Sequence, residues 1–215
     1  MNDTPDVIEL SCPLCESKVH HEIISDYRIV GKESDHCPRV LGENPLPTAI
    51  CLCRSCGFAG YQPDFAIDDP TQLSEINELL ENAPSVPKTS LAAGSGRFRR
   101  AAEIAEVRQK SHVEQAELWL QASWCARFEM RDQDEQRTLR SHALRHFKAA
   151  LDADELNEED QQAAVYMISE LYRRLGNDEA AERWAAKLAE FAQMDPALEA
   201  LRSGNLRPSQ RRSAV

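Results

Sequence analysis

The sequence predicts an α+β chain, mostly α, in which a small cysteine-rich unit precedes an all-α domain of helical hairpins. Three observations carry this reading. Six of the seven cysteines lie before residue 57, and only Cys125 lies after it. Seven of the eleven prolines stand between positions 5 and 70, among β-branched stretches, whereas Pro196 is the only proline between Arg97 and Leu201. From Arg97 onward, apolar residues recur at helical spacing. Charge divides at the same place. Residues 1–96 hold 6 Lys/Arg and 15 Asp/Glu, a balance of −9, and residues 97–215 hold 19 and 21, a balance of −2. The expected organisation is a cysteine-rich unit over 1–81, a linker over 82–96 (NAPSVPKTSLAAGSG), a helical domain over 97–201 and a disordered basic tail over 202–215.

Within the first unit, Lys18–Ile24 reads as a strand, and Thr48–Cys53 as a strand running into a tight turn. Residues 71–80 place Leu73, Ile76, Leu79 and Leu80 on one helical face, with Asp68, Asp69 or Thr71 as cap and Pro70 in the first turn. In the second unit, Ser111 and Glu114 form a capping box that opens a helix reaching about Met130. Its apolar residues are Val113, Ala116, Leu118, Leu120, Trp124 and Phe128. Further helices are expected over Glu135–Leu151, over Glu158–Leu175 with Gly176 closing it, and over Glu179–Phe191, with one more near 97–108. The turns between them are short, so neighbours pack antiparallel. Ala143-x3-Phe147-x2-Ala150-Leu151 is similar to the second helix of a tetratricopeptide repeat, and Leu171–Ala181 to the turn of another. Phe147 and Trp184 lie 37 residues apart, near the roughly 34-residue period of such arrays. The helical part therefore reads as tetratricopeptide-like, with an ordinary helical bundle as the alternative.

Cys12-Pro13-Leu14-Cys15 and Cys53-Arg54-Ser55-Cys56-Gly57 form two CxxC pairs. A two-residue spacer lets both thiolates point into one concave turn, and Gly57 permits the positive φ that such a turn needs. Two such turns supply four sulfurs at tetrahedral geometry, the closed structural site of zinc, with iron as the alternative. Cys12, Cys15, Cys53 and Cys56 are the expected ligands of one ion, in a zinc-ribbon-like unit. The 37 residues between Cys15 and Cys53 exceed the usual spacing of about 15–20 and imply a long excursion between the knuckles. An odd count of cysteines argues against a disulfide framework.

Cys51 is expected to pack in a strand, although it or Cys37 or His36 remains a candidate for the metal shell. Of His20 and His21 at most one can face the ion, because adjacent strand residues point opposite ways. Cys125, beside Trp124, reads as core. Glu33, Asp35, His36, Cys37 and Arg39 concentrate polar chemistry within seven residues. They suit a second metal or an acid/base pair. The plainer reading is a loop in which Asp35 caps a turn and Arg39 pairs with Glu33. Arg97-Phe98-Arg99-Arg100 and the tail arginines Arg202, Arg207, Arg211 and Arg212 read as solvated charge.

Taken together, Cys12-Pro13-Leu14-Cys15, then Ser34-Asp35 followed by Cys37, then Asn44-Pro45, then Cys53-x-x-Cys56-Gly57-Phe58-Ala59, resemble a bacterial family catalogued as domain of unknown function 2225. The resemblance spans most of residues 10–193 and implies a cysteine-rich zinc-ribbon unit followed by tetratricopeptide-like helices. The chain departs from the pattern at Thr48-Ala49-Ile50, where a Tyr is expected, and at Arg54, where Pro is usual. The family name implies no activity.

No phosphate-binding glycine loop, GxSxG elbow or HExxH helix occurs. No apolar run approaches the roughly 18 residues of a membrane span, and MNDTPDVIEL lacks the basic and apolar regions of a secretory signal, so a cytoplasmic protein is expected. The acidic balance around the cysteines argues against phosphate-backbone binding. The leading expectation is a non-enzymatic interaction protein, with structural zinc and a helical surface for a protein or peptide partner. The alternative is a rubredoxin-like iron protein in electron transfer. A nucleic-acid-binding ribbon and a hydrolase using Glu33, Asp35 or His36 carry less support.

Overall fold

Three two-stranded antiparallel hairpins open the chain in the computed structural model, which describes residues 6–82 and 93–191. β1 (Asp6–Ser11) pairs with β2 (Lys18–Ile23), β3 (Tyr27–Lys32) with β4 (Pro38–Gly42), and β5 (Cys51–Leu52) with β6 (Ala59–Gly60). Six helices follow among the described residues. They are α1 (Pro70–Asn82), α2 (Gly94–Val107), α3 (His112–Phe128), α4 (Gln133–Asp152), α5 (Glu158–Arg174) and α6 (Asp178–Lys187). The mostly-α class with a small β-containing cysteine unit is therefore what the chain adopts. The expected tail over 202–215, and most of the expected linker, lie outside the described residues.

Sequence and structure part company at two places. The expected strand over Thr48–Cys53 is only Cys51–Leu52. Pro45 and Pro47 instead set up a 3₁₀ turn over Leu46–Thr48, closed by the Ala49 amide donating to the Leu46 carbonyl at 3.1 Å. Gly94-Ser95-Gly96, expected as linker, is the first turn of α2, with Gly94 and Ser95 buried. A Cβ on Gly94 would lie 2.7 Å from Pro47 Cα and 3.0 Å from Cys125 Sγ, so only glycine admits this approach.

The helical hairpins repeat one connection. After α2, α3, α4 and α5 a single residue takes positive φ: Gln109, Met130, Asp154 and Gly176, at 51°, 53°, 54° and 82°. In each case two amides fold back onto the helix end, as in Lys110 to Ala105, Arg131 to Ala126, Glu155 to Ala150 and Asn177 to Tyr172. These are Schellman closures, which satisfy carbonyls the helix end leaves orphaned. The next helix is capped at once by Ser111, Asp132, Asn157 or Asn177. A glutamine follows the cap in three of them: Gln115, Gln136 and Gln161 donate back to the Lys110, Arg131 and Leu156 carbonyls.

The core ignores the division between the two units. Cys37, Leu46, Ile50, Leu52 and Ala59 from the β-region share one apolar cluster with Phe98, Trp119, Leu139, Phe147 and Ile168 from the helices. A second cluster gathers Cys12, Val19, Cys51, Cys53, Phe58, Phe65 and Ile76, and it is completed by Ile104 of α2. α2 thus belongs to both.

Candidate metal centre

The first and third hairpins turn on the two CxxC pairs, and the two turns are copies of each other. The Cys12 amide donates to the Ser17 carbonyl at 3.0 Å and the Glu16 amide to the Cys12 carbonyl at 2.9 Å. The same bonds recur as Cys53 to Phe58 at 2.8 Å and Gly57 to Cys53 at 2.9 Å. The residue after each second cysteine takes positive φ, 57° at Glu16 and 87° at Gly57. The expected glycine role holds at Gly57, and a glutamate fills the same position in the first knuckle.

Facing each other, the knuckles bring Cys12 Sγ to 3.5 Å from Cys56 Sγ, and Cys15 Sγ to 3.5 Å from Cys53 Sγ. All four sulfurs lie within 4.8 Å of one another. Sulfurs about 2.3 Å from one ion stand roughly 3.8 Å apart at tetrahedral angles, so this cluster could hold a single metal ion. A disulfide requires about 2.05 Å, and all the cysteines are free thiols. The Cys12 thiol is drawn down to about 5 by the Cys56 thiol bonded to it, against burial and with help from the Cys15 and Leu14 amides. The Cys56 thiol is correspondingly raised, by that bond and by burial. Burial raises Cys53, while the Cys56 and Ser55 amides oppose the rise. A thiolate is thus already favoured in the cluster, and a divalent cation would expel the remaining protons.

Cys51 stays in the apolar cluster, its thiol raised to about 11 chiefly by burial. Cys37 is likewise raised to about 11 by burial, against the Arg127 charge, and sits beside Arg127 and Asp35. Neither joins the four sulfurs, nor does His36. His20 lies near Glu9 at 3.9 Å on the exposed strand, and burial beside Arg97 lowers His21. Cys125 is buried in the helical core, as expected.

The 31–39 segment forms the tip of the β3–β4 hairpin. Arg39 pairs with Glu33 at 2.7 Å, and Asp35 Oδ1 accepts from the Cys37 amide at 3.3 Å, both as expected. Asp35 does more than cap. It is 2% exposed and reaches Arg127 of α3 at 2.7 Å and Arg174 of α5 at 3.3 Å. Sequence reading missed these partners, which stand 92 and 139 residues away; their one local signal is basic charge in a helix's last turn. The expectation of solvated charge at 97–100 holds for Arg99, which is exposed and pairs with Glu103 at 3.0 Å, and is corrected for its neighbours. Arg97 donates to the Ile50 carbonyl at 3.3 Å, Phe98 is fully buried, and Arg100 is buried against Glu103 at 3.3 Å. Apolar α2 side chains on both faces carry these arginine stems inward.

No helix among the described residues is long and apolar enough to cross a membrane. Comparison with curated proteins and with solved structures finds no match. A family model does match, over residues 8–203, from before the first knuckle to beyond the last described helix. The chain belongs to that family, the uncharacterized proteins conserved in bacteria of domain of unknown function 2225.

Proposed function

We propose that the protein is a non-enzymatic, cytoplasmic interaction protein in which structural zinc at Cys12, Cys15, Cys53 and Cys56 holds a ribbon against a helical scaffold that binds a protein partner. The observation that carries the metal reading is the pair of copied knuckles converging on four sulfurs. A sulfur-only set with no open position suits zinc in a structural role. The same set suits iron, which makes a rubredoxin-like electron carrier the second reading. Successive hairpins with uniform connections favour an extended binding surface, as in stacked repeats. Free thiols throughout are in keeping with a reducing compartment.

Metal content and the visible spectrum, measured on protein purified without added metal, separate these readings. One colourless zinc per chain, lost in Cys53→Ser together with stability of the ribbon, supports the structural site. A red iron protein transfers support to electron transfer, and no metal in either sample overturns both. Cross-linking in cells tests the scaffold: links from residues 112–187 to one protein support it, and links confined to the β-hairpins overturn it.

A further inference from the structure

The end of the helical part at which α3 and α5 finish is rich in arginine. Arg127 stands in the last turn of α3, Arg173 and Arg174 in the last turn of α5, and Arg140 is buried in the first half of α4. Among the described residues one helix carboxylate, Glu170, answers them, bonded by Arg173 at 2.7 Å and by Arg174 at 2.7 Å. Burial works against its charge, yet those guanidinium groups and Ser34 hold it below the usual carboxylate range. The compensating groups come from outside the helices, from three consecutive residues at the hairpin tip. Asp35 receives Arg127 at 2.7 Å and Arg174 at 3.3 Å. The Ser34 hydroxyl donates to Glu170 at 2.6 Å and accepts from Arg174 at 3.1 Å. Tyr166 donates to the Ser34 carbonyl at 2.8 Å, and its ring stacks on His36 at 5.3 Å.

Main chain, hydroxyl, carboxylate and ring are each met, from two helices that are not consecutive. This is how a groove reads a peptide. The tip hangs on a hairpin whose strands pair only with each other and whose Tyr27, Ile29, Val30 and Leu41 are exposed. An isolated two-stranded hairpin is marginally stable in water, so release of the tip breaks no larger sheet, and what opposes it is the burial of Asp35 and of Cys37, which anchors the hairpin in the helical core. We infer that the Arg127–Tyr166–Arg174 face is a binding site for an acidic peptide segment of Ser-Asp type, and that residues Ser34–His36 occupy it as a tethered internal ligand which the partner displaces. This deepens the protein-binding reading above and rests on it.

The probe is a synthetic peptide of residues 31–39 carrying Ser in place of Cys37, tested on the full chain and on a Ser34→Gly, Asp35→Gly variant. The variant is expected to bind at least about tenfold more tightly than the full chain, because the Ser34 hydroxyl and the Asp35 carboxylate no longer compete for Arg127, Arg174 and Glu170. Adding Arg127→Ala, or using an Asp→Asn peptide, is expected to remove that gain. A folded variant that binds no better than the full chain overturns the site. Should the variant not fold, hydrogen exchange on the unaltered chain decides. Peptide at about 10 mM, above the roughly millimolar effective concentration of a short tether, is expected to speed exchange of the Glu33 and Cys37 amides. The Cys12 and Cys53 amides should hold. Unchanged exchange at Glu33 and Cys37 overturns the site equally. Failure here with helical cross-links intact removes only this site, whereas loss of the cross-links removes the scaffold itself.

Discussion

Left-handed backbone at residues with a side chain is where this protein stores strain. Gln109, Met130 and Asp154 close their helices in a conformation that Gly176 adopts freely, and each carries a Cβ penalty of about 1 kcal/mol. Met130 is the best test, because it is 88% exposed and has no packing to lose. Met130→Gly is expected to raise stability, by up to roughly 1 kcal/mol less the greater freedom glycine gives the unfolded chain; urea unfolding measures it, and a loss of stability would show that Met130 makes contacts its exposure denies. The same positions show why legibility varies. Gly176 was readable because glycine advertises a positive φ, whereas Gln109, Met130 and Asp154 give no such signal. Glu16 conceals the first knuckle's turn in the same way that Gly57 reveals the second's.

At the scale of elements, helices were easiest to read wherever cap and period agreed. Ser111 with Glu114 set the start of α3, and Gly176 marks the end of α5. α2 lies where a helix near 97–108 is expected, but its first turn, Gly94-Ser95-Gly96, escapes notice because it has the composition of a linker. Its glycine is there for proximity: Pro47 and Cys125 leave no room for a methyl group. Gly94→Ala should therefore destabilise by about 1–3 kcal/mol, as overpacked cores do, despite the better helix propensity of alanine. Thermal unfolding of the variant checks this, and an unchanged or raised midpoint would mean that the 3₁₀ turn at Leu46–Thr48 yields easily. The four sulfur positions were legible from spacing alone. The Asp35–Arg127–Arg174 cluster was not, since nothing local ties a hairpin tip to helix ends so distant in sequence.

For the whole molecule, α2 decides how the parts behave together. One of its faces places Ile104 in the apolar cluster of Cys12, Cys53 and Phe58, while another places Phe98, Ala101 and Ala102 in the helical core. Stripping the metal should consequently weaken the helices as well as the ribbon. Calorimetry of chelator-treated protein is expected to show one transition at lowered temperature, and Ile104→Ala, a loss of about 2–5 kcal/mol, should lower the metal-loaded protein's transition in the same single step. Two transitions, with the helical one unmoved, would show that the units are independent after all.

The placement of Ile104 also bears on synthesis. A ribosome delivers both knuckles, and hence all four sulfurs, before it has made Ile104, which completes the apolar cluster that holds Cys12 and Cys53. Until translation has passed α2, a nascent chain holding an ion would hold it in a half-built shell, open to exchange with other thiols and other metals. Any ion bound at the four sulfurs would gain its full apolar surround only when α2 packs back onto the ribbon.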